Sequence, residues 1–299
     1  MLKKPIPLLA GLLALVLLGG QWLYQKNCNC GIVTTAAAAA TPVAAPALAS
    51  AIAISDGSAF NANFEDNLRF KQSGFSYLTP LSTPLNDVFK KTSEYLKGHP
   101  DRSLKVTGYY TETEKNTSTF PNLGLARANN IKMLLTSLGA SASQIEMADV
   151  KTNDLQFRGD TLMGGANYEF MGLVKNDTRL DAIEKRLKVS PIVLYFATNQ
   201  SNLDLNDQQK QDFADLQYYL EHKAGVKSKI TGHTDNVGNL DKNVTLSKSR
   251  AEFVRSYMSK IGFPTDKMNT DGKGPNAPIS TNETAEGKAK NRRVEVGIE

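Results

Sequence analysis

The chain has 299 residues, enough for about two domains at roughly 150 residues each. With 40% hydrophobic and 22% charged residues, it has the composition of a folded protein and not of a disordered or collagenous one. The net charge of +5 is unevenly placed: residues 1–55 hold three lysines and no acid, whereas residues 56–189 and 190–299 each sum to +1. Neither folded half carries the basic stripe a nucleic-acid binder needs, so nucleic acid is not an expected partner.

Lys3 and Lys4 precede an uncharged apolar run at residues 6–24. As a helix, these nineteen residues span about 28 Å, close to the thickness of a bilayer's hydrocarbon core. Trp22 and Tyr24 stand at its far end, where amphipathic rings favour the headgroup level. Residues 1–30 are therefore expected to form an N-terminal membrane anchor that meets lipid through residues 6–24, with the rest exported. The competing reading is a cleaved signal peptide, since residues 8–18 also make a good apolar core for one. Against cleavage, residues 21–30 contain no small-x-small site, the first Ala-x-Ala pattern begins at Ala36, and no lipobox precedes Cys28. Cys28 and Cys30 are the only two cysteines. A Cys-x-Cys pair suits an internal bridge poorly, which leaves intermolecular pairing, acylation or free thiols. Residues 31–55 are low-complexity and Ala-rich, with Pro42 and Pro46 preventing one long helix. As an extended linker they reach about 80 Å.

The remainder reads as a duplication. "KVTGYY" (105–110) matches "KITGHT" (229–234), and "LGLARANNIKMLLTSLGAS" (123–141) matches "LSKSRAEFVRSYMSKIGFP" (246–264). Each copy has an upstream phenylalanine, Phe70 or Phe196. The first copy is placed at residues 56–176, a helical connector at 177–190 and the second copy at 191–299. In the second copy, strands are expected at 191–197, 226–232 and 292–298. Helices are expected at 206–225, with Phe213, Leu216 and Leu220 inward, and at 245–262, with Leu246, Phe253, Val254, Tyr257 and Ile261 inward. The order β-α-β-α-loop-β predicts an α+β sandwich with helices packed on one mixed sheet.

The run "ITGHTDNVGN", Asn243, "LSKSRA" (246–251), "GKG" with Pro278, and "NRRVEV" (291–296) resembles the C-terminal OmpA-like peptidoglycan-binding domain. The resemblance covers about residues 190–299, and residues 60–176 resemble the same domain in degraded form. The expected architecture is thus two tandem OmpA-like β-α-β-α-β sandwiches behind one transmembrane helix.

Spacing alone brings Asp235, at a strand end, towards Arg250, read as about one turn into the next helix. Such a pocket suits a zwitterion, with an ammonium on Asp235 and a carboxylate on Arg250, and a structural ion pair would look the same. The resemblance implies that the ligand is the diaminopimelate of the peptidoglycan stem peptide. Thr234, Asn243, Leu246 and Ser247 are candidate rim residues, with turn and helix-capping chemistry as the alternative for each and capping an equal reading for Asn243. One of Arg292 and Arg293 is expected to face the site or a glycan, with an ordinary solvated pair as the alternative. His233 and Asp235 supply neither a metal-ligand set nor an acid–base pair, because the chain has only three histidines. No cofactor or catalytic activity is expected. Residues 6–24 hold no Asp, Glu or His, which argues against a proton-conducting stator, another assembly that joins a membrane helix to such a domain.

In the first copy Arg127 aligns with Arg250, but Thr111 takes the place of Asp235 and Gly124 that of Ser247. This arginine is expected to lack its carboxylate, unless Glu112 replaces it by a one-residue shift. The first copy then serves as a spacer or a protein-interaction module. The whole reads as an inner-membrane-anchored protein with periplasmic domains, or an outer-membrane one if the leader is cleaved. The rival reading is an envelope interaction module without wall binding. Protein partners or oligomers would form through the first repeat or through Cys28 and Cys30.

Overall fold

In the computed structural model, which describes residues 51–173, 177–196 and 203–299, regular structure starts at β1 (Ile52–Asp56). β1 turns at Gly57, whose φ of 60° suits glycine, and pairs antiparallel with β2 (Phe60–Phe64). Ile52 and Ile54 are buried in the first core, so the linker expected at 31–55 ends before Ile52. The alternation at 52 and 54 is a strand signal hidden by the Ala-rich surroundings. The run at 6–24, Cys28 and Cys30 lie outside the described residues. Among the described residues no helix is long and apolar enough to cross a membrane.

The first lobe continues with β3 (Arg69–Lys71), α1 (Thr83–Gly98), β4 (Arg102–Tyr110), α2 (Leu123–Ser137), β5 (Ile145–Lys151), β6 (Phe157–Arg158), β7 (Thr161–Met163) and β8 (Ala166–Gly172). Its main sheet has the order β5-β4-β8, with β4 parallel to β5 and antiparallel to β8. Leu85, Phe89 and Leu96 of α1 and Ile131 and Leu135 of α2 share a core with Leu104 and Val106 of β4. Fully burying each such side chain contributes about 1.5–3 kcal/mol.

The second lobe comprises α3 (Thr178–Val189), β9 (Ile192–Tyr195), α4 (Asp207–His222), β10 (Ser228–Gly232), α5 (Leu240–Lys260), β11 (Met268–Gly272), α6 (Ala285–Asn291) and β12 (Arg293–Ile298). The sheet is mixed, in the order β11-β10-β12-β9. Three sequence expectations change here. The connector at 177–190 is α3, which sends Ile183 and Leu187 into the second core. The region read as a loop contains β11 and α6. The helix expected from 245 begins at Leu240, capped by Asn239, whose side chain accepts the Lys242 N–H at 3.1 Å. Its inward face is Ser247, Ala251, Val254 and Met258, while Leu246 is 45% exposed.

Small residues line that face because the helix lies directly on strand backbone. A Cβ on Gly232 would sit 1.9 Å from the carbonyl oxygen of Ser247, and one on Gly108 would sit 1.9 Å from that of Gly124. In both lobes a parallel β-α-β crossover is thus drawn tight at one strand glycine and flanked by an antiparallel third strand. The preceding helices also end alike. The Nδ1 of His99 lies 2.7 Å from the Tyr95 carbonyl and that of His222 lies 2.9 Å from the Tyr218 carbonyl, each imidazole stacked on its tyrosine.

The lobes meet across a buried polar seam. Lys132 of α2 pairs with Glu221 of α4 at 2.7 Å, both side chains 2% exposed. Asn129 donates to the Ile261 carbonyl at 3.0 Å and accepts from Gln217 at 3.1 Å.

Candidate functional site

Asp235 lies three residues beyond Gly232, where β10 has ended. One carboxylate oxygen accepts the Val237 N–H at 3.1 Å, an Asx turn that fixes the side chain, and the other accepts from Arg292 Nη1 at 2.8 Å. Strand pairing brings Arg292 there: Val294 of β12 faces Gly232, so the residue just before β12 lies beside the loop leaving β10. Of the two neighbouring arginines, Arg292 is therefore the one at Asp235. Arg293 is buried elsewhere, bonded to Glu295 at 2.7 Å and to the Ala277 carbonyl at 3.2 Å.

Arg250 sits in the third turn of α5, about 15 Å along the axis from the helix start. The positive helix end is thus no part of its surroundings, contrary to the sequence expectation. Its guanidinium carbon lies 5.7 Å from the centroid of the Phe196 ring. The Nη1 nitrogen is buried and has no hydrogen-bond partner among the described residues. Burial and then the Arg292 charge pull the Arg250 pKa down, and Asp235 partly opposes them. An under-satisfied cation beside a half-committed carboxylate gives one place for an anionic group and one for a cationic group.

The rim residues divide. Thr234 is buried, with its hydroxyl donating to the Asp235 carbonyl at 2.8 Å and its N–H to the Gly274 carbonyl at 2.9 Å. Asn243 donates to the Val237 carbonyl at 3.0 Å, which braces the Asp235 loop, while Asn239 caps the helix. Ser247 is fully buried; its hydroxyl donates to the Val244 carbonyl at 2.8 Å and accepts the Gly274 N–H at 2.9 Å, so it holds two backbone segments together and is not on the rim. Leu246 is exposed, as are Val237 and Leu240. Sequence reasoning missed the role of Phe196 under the arginine, although its recurrence at Phe70 was the available signal.

The first lobe departs from expectation at the same place. Arg127 Cζ lies 5.5 Å from the Phe70 centroid, matching Arg250 over Phe196. Arg127 nevertheless has a carboxylate: Nη2 reaches one Glu114 oxygen at 2.5 Å and Nη1 the other at 3.1 Å, with both side chains 0% exposed. Glu112, the substitute considered from sequence, instead pairs with Lys151 on the surface. The chain between β4 and α2 bends back, so position 114 reaches the arginine where 111 and 112 do not.

Comparison with known proteins fits this geometry. Residues 195–292 match the OmpA family. The OmpA-like segment is 45% identical over 67 residues to outer membrane protein A of Bordetella avium, covering 22% of this chain and 34% of that protein. It is 46% identical over 69 residues to the peptidoglycan-binding protein ArfA of Mycobacterium tuberculosis, covering 23% of this chain and 21% of that protein. The chain thus spans about a third or less of the length of these relatives. A crystal structure of the peptidoglycan-associated lipoprotein from Burkholderia pseudomallei is 25% identical, covering 36% of this chain and 89% of that one with a TM-score of 0.32.

Proposed function

We propose that residues 191–299 are a non-catalytic peptidoglycan-binding module that ties a membrane anchor at residues 6–24 to the cell wall of a Gram-negative-type envelope. The observation that carries this reading is Arg250, whose buried Nη1 has no hydrogen-bond partner among the described residues while Asp235 stands within electrostatic reach. Leaving a buried guanidinium group unsatisfied is costly, and a site that tolerates it is poised to receive an anion. The diaminopimelate centre supplies both complements, its carboxylate for Arg250 and its ammonium for Asp235. Arg292 holds Asp235 in place, and the second lone pairs of the carboxylate remain for the ammonium. OmpA family membership of residues 195–292 supports the ligand class, as does the similarity to ArfA.

The first lobe is read as a degenerate copy of the same module, tandem with the second and without wall binding. Its crossover, strand glycine, stacked Tyr–His pair and Phe-backed arginine all support that reading. The test is retention on purified sacculi. The full chain should sediment with them and Arg250→Ala should stay in solution. If the unaltered chain fails to sediment, an interaction module without wall binding is the better reading.

A further inference from the structure

The two arginines have the same carriage, but only one is filled by the protein itself. Glu114 lies on Arg127 as a guest carboxylate would, gripped by donors on both oxygens. One oxygen receives Arg127 Nη2 at 2.5 Å and the Ser73 N–H at 3.0 Å. The other receives Arg127 Nη1 at 3.1 Å and the Thr111 N–H at 3.3 Å. The guanidinium is held in turn, with Nε on the Gly74 carbonyl at 3.0 Å and Nη1 also on the Tyr109 carbonyl at 2.7 Å. Two backbone N–H groups and a forked arginine around one carboxylate make a complete receptor for that group. In the second lobe no described residue reaches Arg250 Nη1 in this way.

We propose that the first lobe contains an arginine-centred carboxylate site that is permanently occupied by the chain's own Glu114. Removing the Glu114 side chain opens this site to a small monocarboxylate of the formate and acetate class. The inference rests on the reading of Arg250 as a carboxylate receptor, extended to its counterpart. It does not make the first lobe a wall binder, because Thr111 stands where Asp235 would meet an ammonium. Glu114 thereby does two things: it neutralises Arg127 in the core and keeps the first lobe closed to competing ligands.

The experiment is thermal unfolding of the full chain in detergent, comparing sodium formate with sodium chloride at equal ionic strength. Glu114→Ala should melt well below the unaltered protein in chloride. At formate concentrations about tenfold above its Kd, the variant should recover about 2–5 °C. The unaltered chain and the Glu114→Ala/Arg127→Ala double variant should show no formate-specific shift. If Glu114→Ala is recovered only as aggregate, its refolding yield from denaturant becomes the readout, expected to rise in formate and not in chloride. Equal behaviour in the two salts, or the same formate effect in the double variant, overturns the proposal. Neither readout involves peptidoglycan, so failure here leaves the wall-binding reading standing, and failure of sacculus retention leaves this one standing.

Discussion

Arg127 and Arg250 are carried identically, on a helix pulled against a strand glycine and with a phenylalanine beneath the guanidinium, yet they end in opposite electrostatic states. Arg127 has four protein acceptors around it and no exposure, whereas Arg250 keeps a buried nitrogen without a partner among the described residues. The first is a closed structural element whose whole interaction energy is spent within the fold. On the proposed reading, the second holds interaction energy in reserve for a ligand. The difference teaches that an arginine at a binding-site position is informative only together with what its loop places on it.

The largest expected effect breaks the comparison on the stability side. Arg127→Ala leaves the Glu114 carboxylate buried without a counter-charge, and breaking a buried pair from one end costs about 3–5 kcal/mol. Melting of the first lobe, followed by hydrogen exchange at β4 and α2, should report a loss of that size. Arg250→Ala should leave stability unchanged or raise it slightly, because it removes a desolvated nitrogen that no described protein group satisfies. Equal destabilisation by the two variants would show that Arg250 is also a structural residue.

On the binding side the order reverses. Arg250→Ala should weaken retention on sacculi by about 30- to 5,000-fold, which is the usual 2–5 kcal/mol for removing one partner of a desolvated charged contact. Asp235→Asn should act similarly, since the Asx turn and the shape persist while the counter-charge for an ammonium is lost. It also frees Arg292, so a drop in affinity without a drop in melting temperature is the informative result. Arg127→Ala, measured where the protein is still folded, should leave retention unchanged.

Much of the second lobe was legible in sequence because its signals are local. Gly225 and Gly262 follow the two helices, Phe213, Leu216 and Leu220 fall at helical spacing, and Val294, Val296 and Ile298 alternate. Asp235 and Arg292 could be anticipated because both stand at strand ends. Other features had no local signal. β11 is an edge strand of mostly polar residues, "MNTDG", and pairs on one side only. The first turns of α5, "LDKNV", are polar and carry no apolar helical spacing, so the sequence alone puts Arg250 too close to the helix start. Glu114 could not be assigned because a carboxylate at a loop position finds its partner only through the path the loop takes.

A smaller effect sharpens the comparison at the helix–strand contact. The first lobe places Gly124 on the helix against Asp149 on the strand, and the second places Ser247 against Gly272. The side chain has changed sides while the spacing is kept. A Cβ on Gly272 would lie 2.8 Å from Ser247 Oγ and 2.6 Å from the Lys248 nitrogen. Gly272→Ala should therefore destabilise the second lobe by about 1–3 kcal/mol, the usual range for overpacking. Adding Ser247→Gly should recover only part of this loss, because the Lys248 backbone remains. A double-mutant cycle in urea would measure the coupling, and strict additivity would show that the exchange is not compensatory.

The smallest expected effect is the pH dependence that His233 gives the second lobe. His233 follows Gly232 in the second lobe, as Tyr109 follows Gly108 in the first. Both ring nitrogens of His233 are buried without hydrogen bonds among the described residues, and Nε2 lies 3.8 Å from a Glu295 oxygen. Burial foremost, then the Arg293 charge, lowers its pKa below the ordinary 6.5, with Glu295 opposing. The unfolded chain therefore binds a proton at a pH where the folded lobe does not, so stability falls as pH drops below about 6.5. The decline continues until the folded histidine also protonates, with a slope never above about 1.4 kcal/mol per pH unit for one proton. Tyr109 is also buried, but burial raises its pKa further above 10.0, and it stays neutral throughout this range. The carboxylates held low by their partners, Asp56 by Arg102 and Asp271 by Lys273, contribute stability that is lost only as pH falls below about 4. Hydrogen-exchange protection at β10 should weaken between pH 7 and 5, and His233→Gln should flatten that slope while leaving the acid limb below pH 4 in place. An unchanged slope in His233→Gln would assign the dependence to another group.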